Sequence, residues 1–203
     1  MTLTRMIPSL RAILPDPLLV DAWPEATVAT TTDVVVSGIS LLRLVEVCGT
    51  PCVHSGAAVI PRTDGRPSAT SRTAVLVVRV TRVALHESGS PVVETDARLD
   101  DLRLVWSETR LIDRASTAHS GTVLVAVRPV DPELSATSQA CSAELPLDIR
   151  AGDLLAIPSV PIATSWALRP HPLTGTFETA PRPPTNGGRP SAADQPAWLS
   201  SLE

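Results

Sequence analysis

Arg103, Glu108 and Asp131 are the residues whose types could support acid–base or carboxylate chemistry. Asp131 stands before Pro132 and two residues after Pro129. A carboxyl held in a partly apolar pocket has a raised pKa and can act as a general acid. An aspartate beside proline is also an ordinary turn residue, and both readings stand. Arg103 carries a planar fork that suits a ligand carboxylate. Glu108 follows Trp106 and Ser107. The plainer use of both is surface ion pairing.

Cys48, Cys52 and His54 form a C-x3-C-x-H spacing, a corner that suits soft metal ligands. No fourth ligand accompanies it; Cys48 closes the expected helix and Cys52 starts a strand, so both read as small apolar residues to be buried. No metal and no other cofactor is expected. His86, His119 and His171 fall in expected loops without the H-x-x-x-H spacing of a helical site.

Two absences exclude more than these residues suggest. All 17 basic residues are Arg, so no lysine Schiff base and no P-loop lysine can form. There is no Tyr, which removes every phenolic acid or base. A net charge of −4 argues against a nucleic-acid footprint. No apolar run approaches the ~18 residues of a membrane span. The opening MTLTRMIPSLRAILPDPLL is broken by prolines and Asp16, so it lacks a signal-peptide core. A cytoplasmic protein is expected, and three cysteines do not make a disulfide framework.

The elements that must position these groups read as mainly β. Residues 1–32 look irregular, with Pro8, Pro15, Pro17 and Pro24 as breakers. Val34 to Val36 are β-branched and predict a strand. Gly38 marks a turn, Ser40 a helix cap, and Gly49 the helix stop. An extended piece begins at Pro51. Residues 61–73 are polar and read as a loop. After them come TAVLVVRVTRVALHE, PVVETDARL, LRLVWSETRLI, GTVLVAVRPV and one strand within AELPLDIRAGDLLAIP, preceded by a turn at Ala151-Gly152-Asp153. Short strands at this spacing predict an antiparallel barrel or sandwich over residues 33–180, with one short helix. Residues 181–203, rich in Pro, Gly and Ser, read as a disordered tail ending in PAWLSSLE.

In this order, several phrases resemble the diaminopimelate decarboxylase family, whose members use pyridoxal phosphate and join an α/β barrel to a β-barrel domain. VVVSGISLLRLVEVCGTPCVH is similar to the family's amino-terminal strand, helix and Gly-Thr-Pro. VLVVRVTRVALHESGSPVVETDARLDDLR is similar to its first β-domain hairpin, with Asp96 to Asp101 at the Asp-Ala-Gly-Met-Asn-Asp position. VAVRPVDPELS, ELPLDIRAGDLLAIPSVPIATSWA and FETAPRPP resemble later segments. The resemblance puts Asp131 near the catalytic cysteine, Arg103 near a substrate-contacting arginine, and Glu108 near a substrate-contacting tyrosine. It also implies that Val34–Val36 adds a strand to the β-domain.

The departures from that family are large. Fewer than twenty residues separate His54 from Thr73, whereas a (β/α)8 barrel needs roughly 200. The cofactor-bearing lysine and the Tyr of Gly-Ala-Tyr, which falls near Ile162, have no counterpart. The expectation is therefore a β-domain without its catalytic barrel and without pyridoxal phosphate. An apolar face once covered by the barrel would need covering by a homo-oligomer, by the first 30 residues or by another protein. A non-catalytic interaction module is the first functional expectation. The second is a cofactor-free lyase or isomerase using a small-molecule pocket in the β-domain. The third is one fragment of a split decarboxylase.

Overall fold

The computed structural model describes residues 3–86, 89–128 and 140–159. Asp131, Ile162, His171 and the 181–203 tail lie outside them. In chain order the elements are α1 (Leu3–Met6), β1 (Thr27–Ala29), β2 (Val34–Val36), β3 (Ile39–Ser40) and α2 (Leu41–Cys48). There follow β4 (Cys52–Val59), β5 (Pro67–Leu85), β6 (Pro91–Thr95), β7 (Arg110–Ile112), β8 (Ser120–Ala126), β9 (Ala140–Pro146) and β10 (Leu154–Ser159). The fold is mainly β. Seven strands form one sheet in the order β7-β10-β5-β6-β8-β9, with β4 added against β5. This sheet curls into a nearly closed barrel. Every pair is antiparallel except β6 with β8.

β5 organises the molecule. Its first half lies between β4 and β10, with Val77 opposite both Cys52 and Ala156. At Arg79 and Val80 it changes partners. Val80 N–H donates to the Asp153 carbonyl at 2.8 Å, and Arg79 N–H donates to Asp96 Oδ1 at 2.8 Å. A register shift between Val80 and Arg82 then bends the strand onto β6. Residues Ala74 to Val78 are wholly buried. Alternate side chains therefore fill two different cores. Leu76, Val78 and Val80 point into the barrel with Leu99, Val123, Leu145 and Leu155. Val75 and Val77 point outward into a second core with Trp23, Val34, Val36, Leu41 and Ile112.

The helix forms where its signals predict. Ser40 Oγ accepts from Arg43 N–H at 3.0 Å and donates to Asp33 Oδ2 at 2.6 Å. Asp33 Oδ1 also accepts from Leu42 N–H at 3.2 Å, so two side chains cap one helix start. Leu41 and Val45, four apart, face the second core. Gly49 ends the helix at φ +73°, where a Cβ would be strained.

Several expectations need correction. β2 does not join the barrel sheet; it pairs with β1 and β3 in a separate three-stranded sheet. It reaches the barrel only through side chains, and this counts against the family placement of Val34–Val36. The polar stretch 61–73 is a turn only to Arg66, because β5 begins at Pro67, and Pro67, Arg72 and Thr73 pair with β4 across a register shift. LRLVWSETRLI is not one strand: a 3-10 turn at Trp106–Glu108 separates an isolated bridge at Leu104 from β7. AELP belongs to a further strand, β9. Among the described residues, no helix is long and apolar enough to cross a membrane.

Leu76 is fully buried where β4, β5 and β10 meet. Leu76→Ala should lower unfolding free energy by about 2–5 kcal/mol in urea titration, whereas Arg43→Ala on the exposed face of α2 should stay within about 0.5 kcal/mol.

Candidate functional site

The barrel closes imperfectly between β7 and β9, the two ends of the strand order. A cavity of about 580 Å3 occupies this seam. Glu108 to Ile112 line one wall and Ser142 to Pro146 the other. Arg11 and Leu14 to Pro17 of the N-terminal segment form part of its lining.

That segment, the arm, is fastened by buried polar side chains. Arg11 is only 7% exposed. Its guanidinium donates to the Ala118 carbonyl at 2.9 Å and to Ser120 Oγ at 2.7 Å. Its Nε lies 3.2 Å from Asp16 Oδ2, close enough for charge attraction but not aligned as a hydrogen bond. Arg110 of β7 donates to the Pro17 carbonyl and lies 3.5 Å from Glu108 Oε2. Glu108 Oε2 accepts from Leu19 N–H and from Trp23 Nε1, both at 3.0 Å. A buried indole N–H needs an acceptor, and Glu108 supplies it.

Glu108 is therefore a tether for the arm rather than a free acid. The sequence-predicted set is not assembled. Arg103 is exposed and does not line the cavity, whereas Glu108 does. Asp131 lies outside the described residues. Neither Trp23 nor Arg11 belongs to a sequence motif. A Trp inside a proline-rich irregular stretch is the signal that could have found the anchor, because so large a side chain seeks a core.

A second ionic latch sits beyond β7. Arg114 grips Asp153 through two bonds, Nε to Oδ1 at 2.9 Å and a terminal nitrogen to Oδ2 at 2.7 Å. It also reaches Asp148 Oδ2 at 3.0 Å and its carbonyl at 2.9 Å. Hydrogen bonding to Asp153 raises the Arg114 pKa. At Asp148, burial acts upward, but the Ser116 hydroxyl and Arg114 outweigh it and leave the carboxyl below its ordinary value. These pairs answer one another's charge at the end of the cavity where Arg114 lines it.

The Asp96–Asp101 stretch is likewise structural. Asp96 holds the β5 bend. Asp100 accepts from Arg98 at 2.9 and 3.2 Å and from Arg128 at 2.7 Å. At the C-x3-C-x-H corner, burial pushes the Cys52 thiol up to about 11, with Cys48 and Asp96 adding to the effect. Such a thiol is a poor nucleophile and a reluctant ligand. Among the described residues, no three His, Cys, Asp or Glu side chains gather as metal ligands do.

No protein-family model matches this chain, and no curated protein matches it.

Two outcomes follow from this geometry. Glu108→Ala leaves the Trp23 indole without its acceptor and should cost roughly 1–3 kcal/mol, with faster hydrogen exchange over residues 3–23; Arg103→Ala should change neither. The bond from Arg98, joined by one from Arg128, pulls the Asp100 carboxyl down to about 2. A lowered folded pKa gives stability that is complete above the unfolded value near 3.8 and is lost as pH falls toward 2. Asp100→Asn should flatten the stability profile between those limits, read by urea midpoints across the acid range.

Proposed function

We propose that the protein is a non-catalytic interaction module that docks through the outward face of its N-terminal arm. One observation carries this reading: the arm is folded inside out. Arg11 and Thr4 are buried and Asp16 is partly so, while Leu3, Met6 and Ile7 point to solvent. So do Ile13, Leu14, Leu19 and Val20, with Ile13 at 71% exposure. Single exposed apolar residues need no explanation, but seven within eighteen positions make a patch of the kind that marks an interface. The charges of Arg11, Glu108 and Arg110 support the same reading, because each is engaged in holding the arm. The reading stands without the decarboxylase resemblance, from which the separate β1-β2-β3 sheet departs.

The seam cavity favours a second reading, a cofactor-free enzyme acting on a small metabolite, since about 580 Å3 falls within the range of ligand sites. Native mass spectrometry of tagged protein recovered gently from its host separates the two. The module reading expects assemblies heavier than one chain for the wild type, and single chains for the Met6→Glu, Ile13→Glu double variant, neither position of which lines the cavity. A single wild-type chain carrying a small-molecule mass moves the assignment to the cavity.

A further inference from the structure

This inference rests on the interaction reading and names the partner. We propose that the arm face docks on the same face of a second copy of this chain, forming a two-fold homodimer. The chemistry of the face selects that occupant. Between Met6 and Val20 the exposed side chains are apolar apart from Ser9, and the charged residues Arg11 and Asp16 are turned inward. Among the described side chains from Met6 to Val20, a partner recognised by charge finds no exposed charge to read. Charge depletion with a high apolar share is the composition of homodimer interfaces. An apolar face is also complementary to itself, which a two-fold contact requires.

A membrane surface fits less well. Interfacial segments are amphipathic helices whose polar face is rich in Lys or Arg. The arm instead has a four-residue helix and a 3-10 turn at Pro8–Ala12, and Arg11 is tied to the barrel. The area is adequate for a stable dimer. Seven side chains about half exposed offer on the order of 700 Å2 per chain, close to the roughly 800 Å2 per partner of a standard interface. Docking also costs little conformational entropy. Pro8, Pro15 and Pro17 stiffen the arm, and Trp23, Glu108 and Arg110 hold it in place beforehand.

Sedimentation equilibrium of the purified full-length chain over a range of micromolar concentrations tests this. The expected mass is twice 21.4 kDa. Ile13→Glu buries a charge at the contact and should raise the dissociation constant at least about a hundredfold. Leu85→Glu, at a side chain 78% exposed but outside the arm, should leave it unchanged. Near-ultraviolet circular dichroism of the tryptophans verifies that each variant is folded. A wild-type monomer throughout, or a dimer indifferent to Ile13→Glu, overturns the homodimer. If the purified chain is monomeric while assemblies from the host still depend on Met6 and Ile13, the homodimer falls and the interaction reading survives. If neither sample assembles, both fall.

Discussion

Burial of β5 on both faces is the constraint from which the rest of the architecture follows. A strand at the edge of a solvated sheet alternates apolar and polar residues, but Ala74 to Val78 are apolar without a break. The barrel interior covers only Leu76 and Val78. Val75 and Val77 need a second layer, and the first 48 residues provide it through Trp23, β2 and α2. At roughly 1.5–3 kcal/mol per buried aliphatic side chain, this outer core is a large part of what holds the N-terminal segment in place. The three-stranded sheet is thus a cover for β5 and not an extension of the barrel.

Covering β5 with Trp23 creates the next requirement. The indole ring suits the outer core, but its N–H must be answered inside it. Glu108 answers it from the 3-10 turn before β7, and the same oxygen accepts from Leu19 N–H. Arg110 then balances the carboxylate and takes the Pro17 carbonyl. Packing, a single indole proton and one ion pair therefore fix where residues 16–23 run. The same arm borders the open seam between β7 and β9.

Local signals in the sequence were legible where a few adjacent residues decide the outcome. Ser40 and Gly49 bracket α2, Gly152 supplies the φ +95° turn before β10, and the unbroken apolar run marks β5. Long-range pairing was not legible. Pro67 to Arg72 are polar and largely exposed, and the pairing of Pro67 and Arg72 with distant β4 is what makes this stretch strand. β9 was hidden because AELP carries a proline that an edge strand tolerates. Glu108 was noticed as a carboxylate beside an aromatic residue. Its actual partners lie 85 and 89 residues away, and no local pattern encodes such a separation.

The arm's polarity is the feature least explained by a chain folding alone. Turning Arg11 inward desolvates a guanidinium, and its bonds to Ala118 and Ser120 offset only part of that cost. Among the described residues, Arg11 Nε and Asp16 Oδ1 have no hydrogen-bond partner. Each such buried atom costs on the order of 1–3 kcal/mol. Turning the arm over would hydrate both atoms but would forfeit the Arg11 bonds to Ala118 and Ser120 and its attraction to Asp16. What keeps the apolar face outward is the fastening at Trp23, Glu108 and Arg110, which sets the arm's direction irrespective of its own amphipathic preference. A surface held outward against local hydrophobic preference gains free energy when another surface meets it, and that gain scales with the apolar area removed from water.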